Sequence, residues 1–487
     1  MNVSLSPMKL LAMLGLFLFA DGQGLLLAQT TWRRTYGGFG ADEARSVRQT
    51  SDGGYILFGS TGSFGFGGGD MYLLRLDADG TPLWSRTYLD GFVQTGMACR
   101  EVADGFIFVG STNGMIGYDV LLLKVGFGGE VVWQKQFGSA NWDLASDLEV
   151  LTDGLVIVGT TYGSGSGTGD AYVLRTDEQG DLLWTATLGG FGEDQGMGAG
   201  VANDGGVFVT GIEGVGGSDQ NGFITKLTPT GAVEWNRIIG GDSLDYVYDA
   251  VETVSGDIVF SGGSRSYSTV WQVLVGKLNS AGDSLWQNAF GSVGDSKGYE
   301  VSLTSTGGHA QAVYNSAFNA GGRDMFLLLT DVDGIFLLGK NYGGLGDEEG
   351  YSLQATSDGG YIVAGMTETY GPGLRAMYVV KSNAIGETLD DTVYEMFDPL
   401  TTNDLTSEST SLLTLIPSPS SGPLTVRAKE ELQDLSISDM TGRQLLSRAV
   451  QGLEVGLDLE LPSGTYVLSA TTQQGHILRQ VFILQRP

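Results

Sequence analysis

Leu76-Asp77-Ala78-Asp79-Gly80-Thr81-Pro82-Leu83-Trp84 returns with the same punctuation as Thr176-Asp177-Glu178-Gln179-Gly180-Asp181-Leu182-Leu183-Trp184. An Asp, a Gly three residues on and a Trp four beyond it describe a tight hairpin entering a strand. The Asp side chain bonds its own backbone, and Gly supplies the positive φ. Aligned on Gly-x-x-x-Trp, the chain gives Trp84, Trp133, Trp184, Trp235 and Trp286, with Trp32 as an earlier member, at spacings of 52, 49, 51, 51 and 51. The frame continues through Gly334 and Leu338, then Gly386 and Asp390, each 52 residues further. Eight phase marks enclose seven repeats.

One unit reads Trp32 to Gly38, Ala44 to Thr50, Tyr55 to Thr61 and Met71 to Leu76, four short segments rich in β-branched and aromatic residues and bounded by Gly or Asp. These are strands, and no segment sustains a helical period. The loops Ser51-Asp52-Gly53-Gly54 and Asp77-Ala78-Asp79-Gly80 are tight, whereas Gly37 to Glu43 and Gly62 to Asp70 are long and Gly-rich. Alternate loops of a meander lie on opposite edges, so one face of the assembly should carry the tight hairpins and the other the long loops. Four-stranded units of this length repeated seven times predict a β-propeller over 29–390. Trp32 to Gly38 is a fourth strand without its first three, and the last repeat has three and loses the pattern at Glu387-Thr388-Leu389-Asp390. The N-terminal strand is therefore expected to close the last blade and abolish the free edge.

The hairpin before each Trp resembles the tryptophan-docking motif of quinoprotein-type propellers, and more loosely the Asp-box hairpin of sialidases, with an Asp-to-Gly spacing of three here rather than two. No set of sialidase arginines accompanies it. The wider unit, with Thr35-Tyr36-Gly37-Gly38, Ser51-Asp52-Gly53-Gly54-Tyr55-Ile56 and Leu73-Leu74-Arg75-Leu76-Asp77, resembles propeller repeats of bacterial secreted proteins over residues 32 to 390.

From Glu387 to Ser411 the chain is polar and acidic and reads as a linker, bounded as 391–411. Seven short strand patterns then follow: Leu412 to Ile416, Leu424 to Ala428, Leu435 to Asp439, Gln444 to Ser447, Leu457 to Leu461, Tyr466 to Thr471 and Ile477 to Leu484. They suit a small Ig-like β-sandwich over 412–487. Pro417-Ser418-Pro419 with Ser421-Gly422, Ser438-Asp439-Met440-Thr441-Gly442-Arg443, Leu461-Pro462-Ser463-Gly464-Thr465-Tyr466-Val467 and Arg479 to Leu484 resemble, in order and spacing, the C-terminal sorting domain of type IX secretion cargo. Pro-Ser-Pro stands where that family has Pro-Asn-Pro. The resemblance implies the type IX machinery as partner and release or surface attachment beyond the outer membrane.

Export is also the expectation at the other end, where Lys9 precedes the apolar run Leu10 to Ala20, the order of a signal peptide over 1–28. The run is too short to cross a bilayer as an ordinary helix. The net charge of −30, from 56 Asp and Glu against 26 Lys and Arg, argues against nucleic acid as a partner and for solubility outside the cell. The lone Cys99 lies in a strand pattern and reads as a buried thiol. No cofactor is implied, and a monomer is expected.

The two histidines, His309 and His476, have no second histidine or cysteine placed for zinc. Gly65-Phe66-Gly67-Gly68-Gly69 lacks the following helix a phosphate loop requires. Asp77-Asp79 and Asp331-Asp333 read as turns rather than calcium loops. Carboxylates recur at Asp42, Asp143, Asp194, Asp245, Asp295 and Asp347, with Gln94 in the second unit. Their repetition reads as turn capping, and the functional alternative is an acidic ring holding a cation at the channel mouth. The Trp column reads as packing. Phe39, Phe64, Phe66, Tyr162, Phe191, Tyr267 and Tyr370 in the long loops are the candidates for contacting a ligand. The expected function is non-catalytic binding of a glycan or protein. A polysaccharide-acting enzyme using carboxylates on the same face is the alternative.

Overall fold

The computed structural model describes residues 29–487 apart from 66–68, 89–93, 114–116, 166–167, 217–218, 292, 317–320, 390–391, 396–399, 402–412, 417–422, 440–442, 460, 474–476 and 485–487. The expected signal peptide, Phe66 and His476 lie outside the described residues, as does most of the 391–411 linker. The chain is all-β and β-propeller-like. Asp42–Gln49, Tyr55–Thr61, Asp70–Leu76 and Pro82–Tyr88 form an antiparallel meander. The same order recurs in the sheets opened by Gln94–Val102, Asp143–Leu151, Gln195–Val201, Asp245–Glu252, Ser296–Leu303 and Glu348–Ala355. These opening strands touch one another in cyclic order, the last returning to Asp42–Gln49.

Burial follows position in the sheet. Second strands such as Gly154–Thr161 are buried along their whole length, because neighbouring sheets cover both faces, while fourth strands such as Leu182–Leu188 alternate outward. Each core is shared between neighbours: Ile56, Phe58, Met71 and Leu73 of one sheet interlock with Phe106, Phe108, Leu121 and Leu123 of the next. The fourth strand of the last sheet is Trp32–Tyr36, paired antiparallel with Ala376–Ser382 from Trp32↔Lys381 to Tyr36↔Met377. Its cluster joins Trp32, Tyr36, Met377 and Val379 to Val47, Tyr55, Leu57 and Tyr72 of the first sheet.

Tryptophans latch six of the seven sheet junctions, and at the seventh Gly386 meets Lys340 and Tyr342 instead. Trp32 covers the hairpin of the first unit, where Gly80 has φ +79° and an added Cβ would stand 2.9 Å from the indole. Trp84 meets Gly129, Trp133 Gly180, Trp184 Gly231, Trp235 Gly282 and Trp286 Gly334 in the same way. A Trp32 Nε1–H bond to Ala78 O (3.2 Å) and a Tyr36 hydroxyl bond to Gly80 O (2.6 Å) complete the first latch. Asp77 caps that turn by accepting from the N–H groups of Asp79 and Thr81 at 3.0 and 2.8 Å, and Asp331 does the same for Asp333 and Ile335.

Two features depart from expectation. Within 391–411, Thr392–Glu395 pairs parallel with Trp32–Tyr36, and Leu400–Thr401 pairs parallel with Pro82–Tyr88. The exit segment thus straps the outer edges of the last and first sheets. The C-terminal region has five described strands, Leu413–Ile416, Pro423–Asp439, Gln444–Asp458, Gly464–Thr472 and Ile477–Leu484, rather than seven. Leu424 to Ala428 and Leu435 to Asp439 are halves of one strand, bent where the pairing shifts register between Arg427 and Leu432. Leu424, Val426, Leu435, Ile437 and Leu468 form its core.

Candidate functional site

The repeated carboxylates are loop caps. Asp42 is fully buried and accepts from Gly38 N–H (2.8 Å), Thr61 Oγ1–H (2.5 Å) and Ser63 Oγ–H (2.5 Å). Asp143 takes Ser139 N–H, Asp194 those of Gly190 and Gly214, and Asp245 that of Gly241 with the hydroxyls of Ser264 and Ser266. Asp295 and Asp347 stand one residue before this position, which Ser296 and Glu348 occupy. Glu348 reaches the same donors, Gly344 N–H and Thr367 Oγ1–H, at 2.6 and 2.7 Å. Among the described residues no group of three or more His, Cys, Asp or Glu could hold a metal ion, and these carboxylates are filled by loop donors.

Every opening strand carries a bulge after its third residue, or its second in Gln195–Val201, where the pairing skips one position. In order these positions are Arg45, Met97, Ser146, Met197, Tyr248, Tyr299 and Tyr351. Beyond the bulge, side chains cross between units at the axis. Ser46 accepts from Cys99 N–H, Asp147 from Ala199 N–H, Asp249 from Val301 N–H, Glu300 from Leu353 N–H and Ser352 from Val47 N–H, at 2.8 to 3.3 Å. Arg48 pairs with Glu300, two units away, at 2.6 Å, and Arg100 with Glu149 and Asp147 at 2.5 and 3.3 Å. The middle of the ring is therefore bridged by ion pairs.

Four carboxylates in this network face two guanidiniums. Burial lifts Asp147 to about 6 against the pull of Arg100, and burial with the Glu300 charge holds Asp249 well above the usual carboxylate range. Below the unfolded-state value, both states hold the Asp249 proton. Above it, the unfolded chain releases the proton and the folded chain keeps it, so stability falls as pH rises. Asp249 accepts from the Ala250 and Val301 N–H groups through separate oxygens, at 2.8 and 2.9 Å, so Asp249→Asn gives up one acceptor and should cost about 1–2 kcal/mol at pH 3.5, a deficit that shrinks toward pH 7 because only the parent weakens as pH rises. Paired thermal melts across pH 3.5 to 8 check this, and a deficit independent of pH contradicts it.

Toward the long loops the bulge residues gather. The Tyr248 and Tyr299 ring centroids are 4.9 Å apart, and those of Tyr299 and Tyr351 are 5.4 Å apart. The Arg45 guanidinium lies 4.1 Å over Tyr351 and is paired with Glu43. Tyr246 and Trp271 stack at 4.7 Å beneath Lys297, whose Nζ is 3.8 Å from the Trp271 centroid. Arg323 lies over Tyr314 and is paired with Glu349. Burial raises the Tyr248, Tyr299 and Tyr351 hydroxyls, so all three are protonated donors at neutral pH. The arrangement gathers half-buried aromatic rings, phenol groups and cations on one side of the ring, built by the fifth, sixth, seventh and first units.

Among the described residues the loop aromatics stand on separate loops. Phe191 is 94% exposed, and Phe39 and Tyr267 are also exposed, each on its own loop. Phe64 packs on Tyr72, Tyr370 packs on Tyr378 and donates to Gly343 O, and Tyr162 sits beside Trp142 with its hydroxyl toward Glu193. Cys99 is buried, and burial raises its thiol pKa, which leaves it unreactive. His309 is buried near the Trp286 ring with Nδ1 3.2 Å from Thr330 Oγ1, and burial lowers its pKa to about 4.

The fold and mouth define a propeller-like all-β chain, and its C-terminal region identifies its traffic. Residues 414–484 match the family described as Secretion system C-terminal sorting domain, which marks the chain as cargo of a secretion system. No curated protein matches the chain. Among solved structures it is similar to the extracellular domain of a putative hybrid two component system, BT4673, from B. thetaiotaomicron (12% identity, 91% of this chain and 57% of that one, TM-score 0.41). It is also similar to YCF48 bound to D1 peptide (10%, 73% and 97%, 0.43) and to puromycin hydrolase (10%, 92% and 60%, 0.44). The chain thus spans under two thirds of the first and third of these. Among the described residues no helix is long and apolar enough to cross a membrane.

Proposed function

We propose that the chain is type IX secretion cargo whose seven-bladed β-propeller, residues 29–390, binds an extracellular ligand without turning it over. A small Ig-like domain over 412–487 is read by the secretion machinery, and the mature protein is a monomer released or held at the cell surface. The observation that carries the binding reading is the break in symmetry at the bulge column, where Tyr248, Tyr299 and Tyr351 stand together with Arg45 over Tyr351, and where Tyr246, 6.0 Å from Tyr248, carries Lys297. Scaffold positions repeat around the ring, whereas these side chains occupy one arc. The non-catalytic reading is supported by Glu43 and Glu349, which flank the tyrosine arc and are each paired with an arginine.

The export half is tested by deleting residues 412–487, which should strand the protein in the periplasm. Secretion at the normal level would refute it. The binding half is tested by a glycan and protein-ligand screen run beside a reducing-sugar assay. Turnover abolished by a single carboxylate substitution would replace binding with catalysis.

A further inference from the structure

We propose that the ligand is an anionic saccharide, its sugar rings lying on the Tyr248, Tyr299 and Tyr351 arc and its carboxylate or sulfate group meeting Lys297. This rests on the reading of the mouth as a binding site. Two kinds of group are assembled there. Tyrosine and tryptophan faces suit the C–H faces of pyranose rings, and raised phenol groups donate to sugar hydroxyls. The cations distinguish the class of sugar. Arg45 and Arg323 are neutralised by Glu43 and Glu349. Lys297 has no ion-pair partner among the described residues, and its ammonium is held over the rings of Trp271 and Tyr246 at 3.8 and 4.8 Å.

The charged groups that act on Lys297 are Asp295 and Glu349 against Arg323 and Arg265, two of each sign. Asp295 is itself occupied by the Trp271 N–H at 2.8 Å. The lysine charge is thus uncompensated locally, in a chain of net −30. A half-buried ammonium on aromatic faces retains its attraction for an anion, because little water screens it. Burial also lowers Lys297 to about 8, so binding should weaken between pH 7 and 9, a range in which the raised tyrosine hydroxyls do not titrate.

Calorimetric titration of the full chain with polygalacturonate, dextran sulfate and neutral dextran at low and moderate salt tests this. At least one polyanion should bind about tenfold tighter than dextran, and Lys297→Met should remove about tenfold of that affinity while Lys297→Arg keeps it. Preference for polygalacturonate or for dextran sulfate identifies carboxylate or sulfate as the anion. Tyr299→Ala, with its fold checked by circular dichroism, should weaken all saccharide binding. Equal binding of dextran with a silent Lys297→Met overturns the anionic assignment and leaves the mouth as a binding site. No binding of any polymer overturns the saccharide assignment. Polyanion binding that survives Tyr299→Ala overturns the reading of the mouth itself.

Discussion

Gly80→Val is expected to destabilise the ring by about 2–5 kcal/mol, two effects acting together. At φ +79° a side chain enters the left-handed region, which costs an L-residue about 1–2 kcal/mol and a β-branched one at least as much. The new Cβ would also stand 2.9 Å from both the Trp32 indole and Arg34 Cδ, and overpacking of this kind costs about 1–3 kcal/mol. Gly53→Val separates the two contributions. Gly53 has φ +87° but nothing within 4 Å of an added Cβ, so that variant should lose only the backbone part. Chemical denaturation of both checks the difference, and equal losses would show that the indole yields freely.

Asp42→Ala should cost about 3–5 kcal/mol, because the carboxylate is fully buried and its removal strands Gly38 N–H and the Thr61 and Ser63 hydroxyls together. The loss should be accompanied by faster amide exchange in the two loops that Asp42 ties, around Gly38 and Ser63. Asp42→Asn, which keeps the acceptor oxygen, should recover part of it. A protein unchanged in melting temperature would mean that water serves those donors as well.

The sheets were legible because turn chemistry is local. Gly80 and its counterparts mark the phase wherever a positive φ is needed, and Asp77 and Asp331 behave as the turns their spacing predicts. The caps were legible in four units and misplaced by one residue in two, since Asp295 and Asp347 directly precede the true positions, and serine and glutamate stand in for aspartate there. The mouth was hidden for a different reason. A bulge offsets the two-residue alternation, so which side chains reach the axis depends on pairing that no single strand records. Stacking the repeats on the bulge would have exposed the run Tyr248, Tyr299, Tyr351. The long C-terminal strands look like short ones in the sequence because a register shift and a strand end carry the same polar interruption.

The first strand of the ring has its partner in the last sheet, Trp32 against Lys381, 349 positions later. The strap over the same seam lies later still, at Thr392–Glu395 and Leu400–Thr401. Loop-closure entropy grows with such separations, and contacts this distant form late. Individual meanders can condense as soon as each has emerged, but the seam must wait for the strand Ala376–Ser382 and the strap that follows it. Until then the first and last sheets lack each other's cover, so the order of synthesis leaves the assembly unclosed until its last sheet has been made.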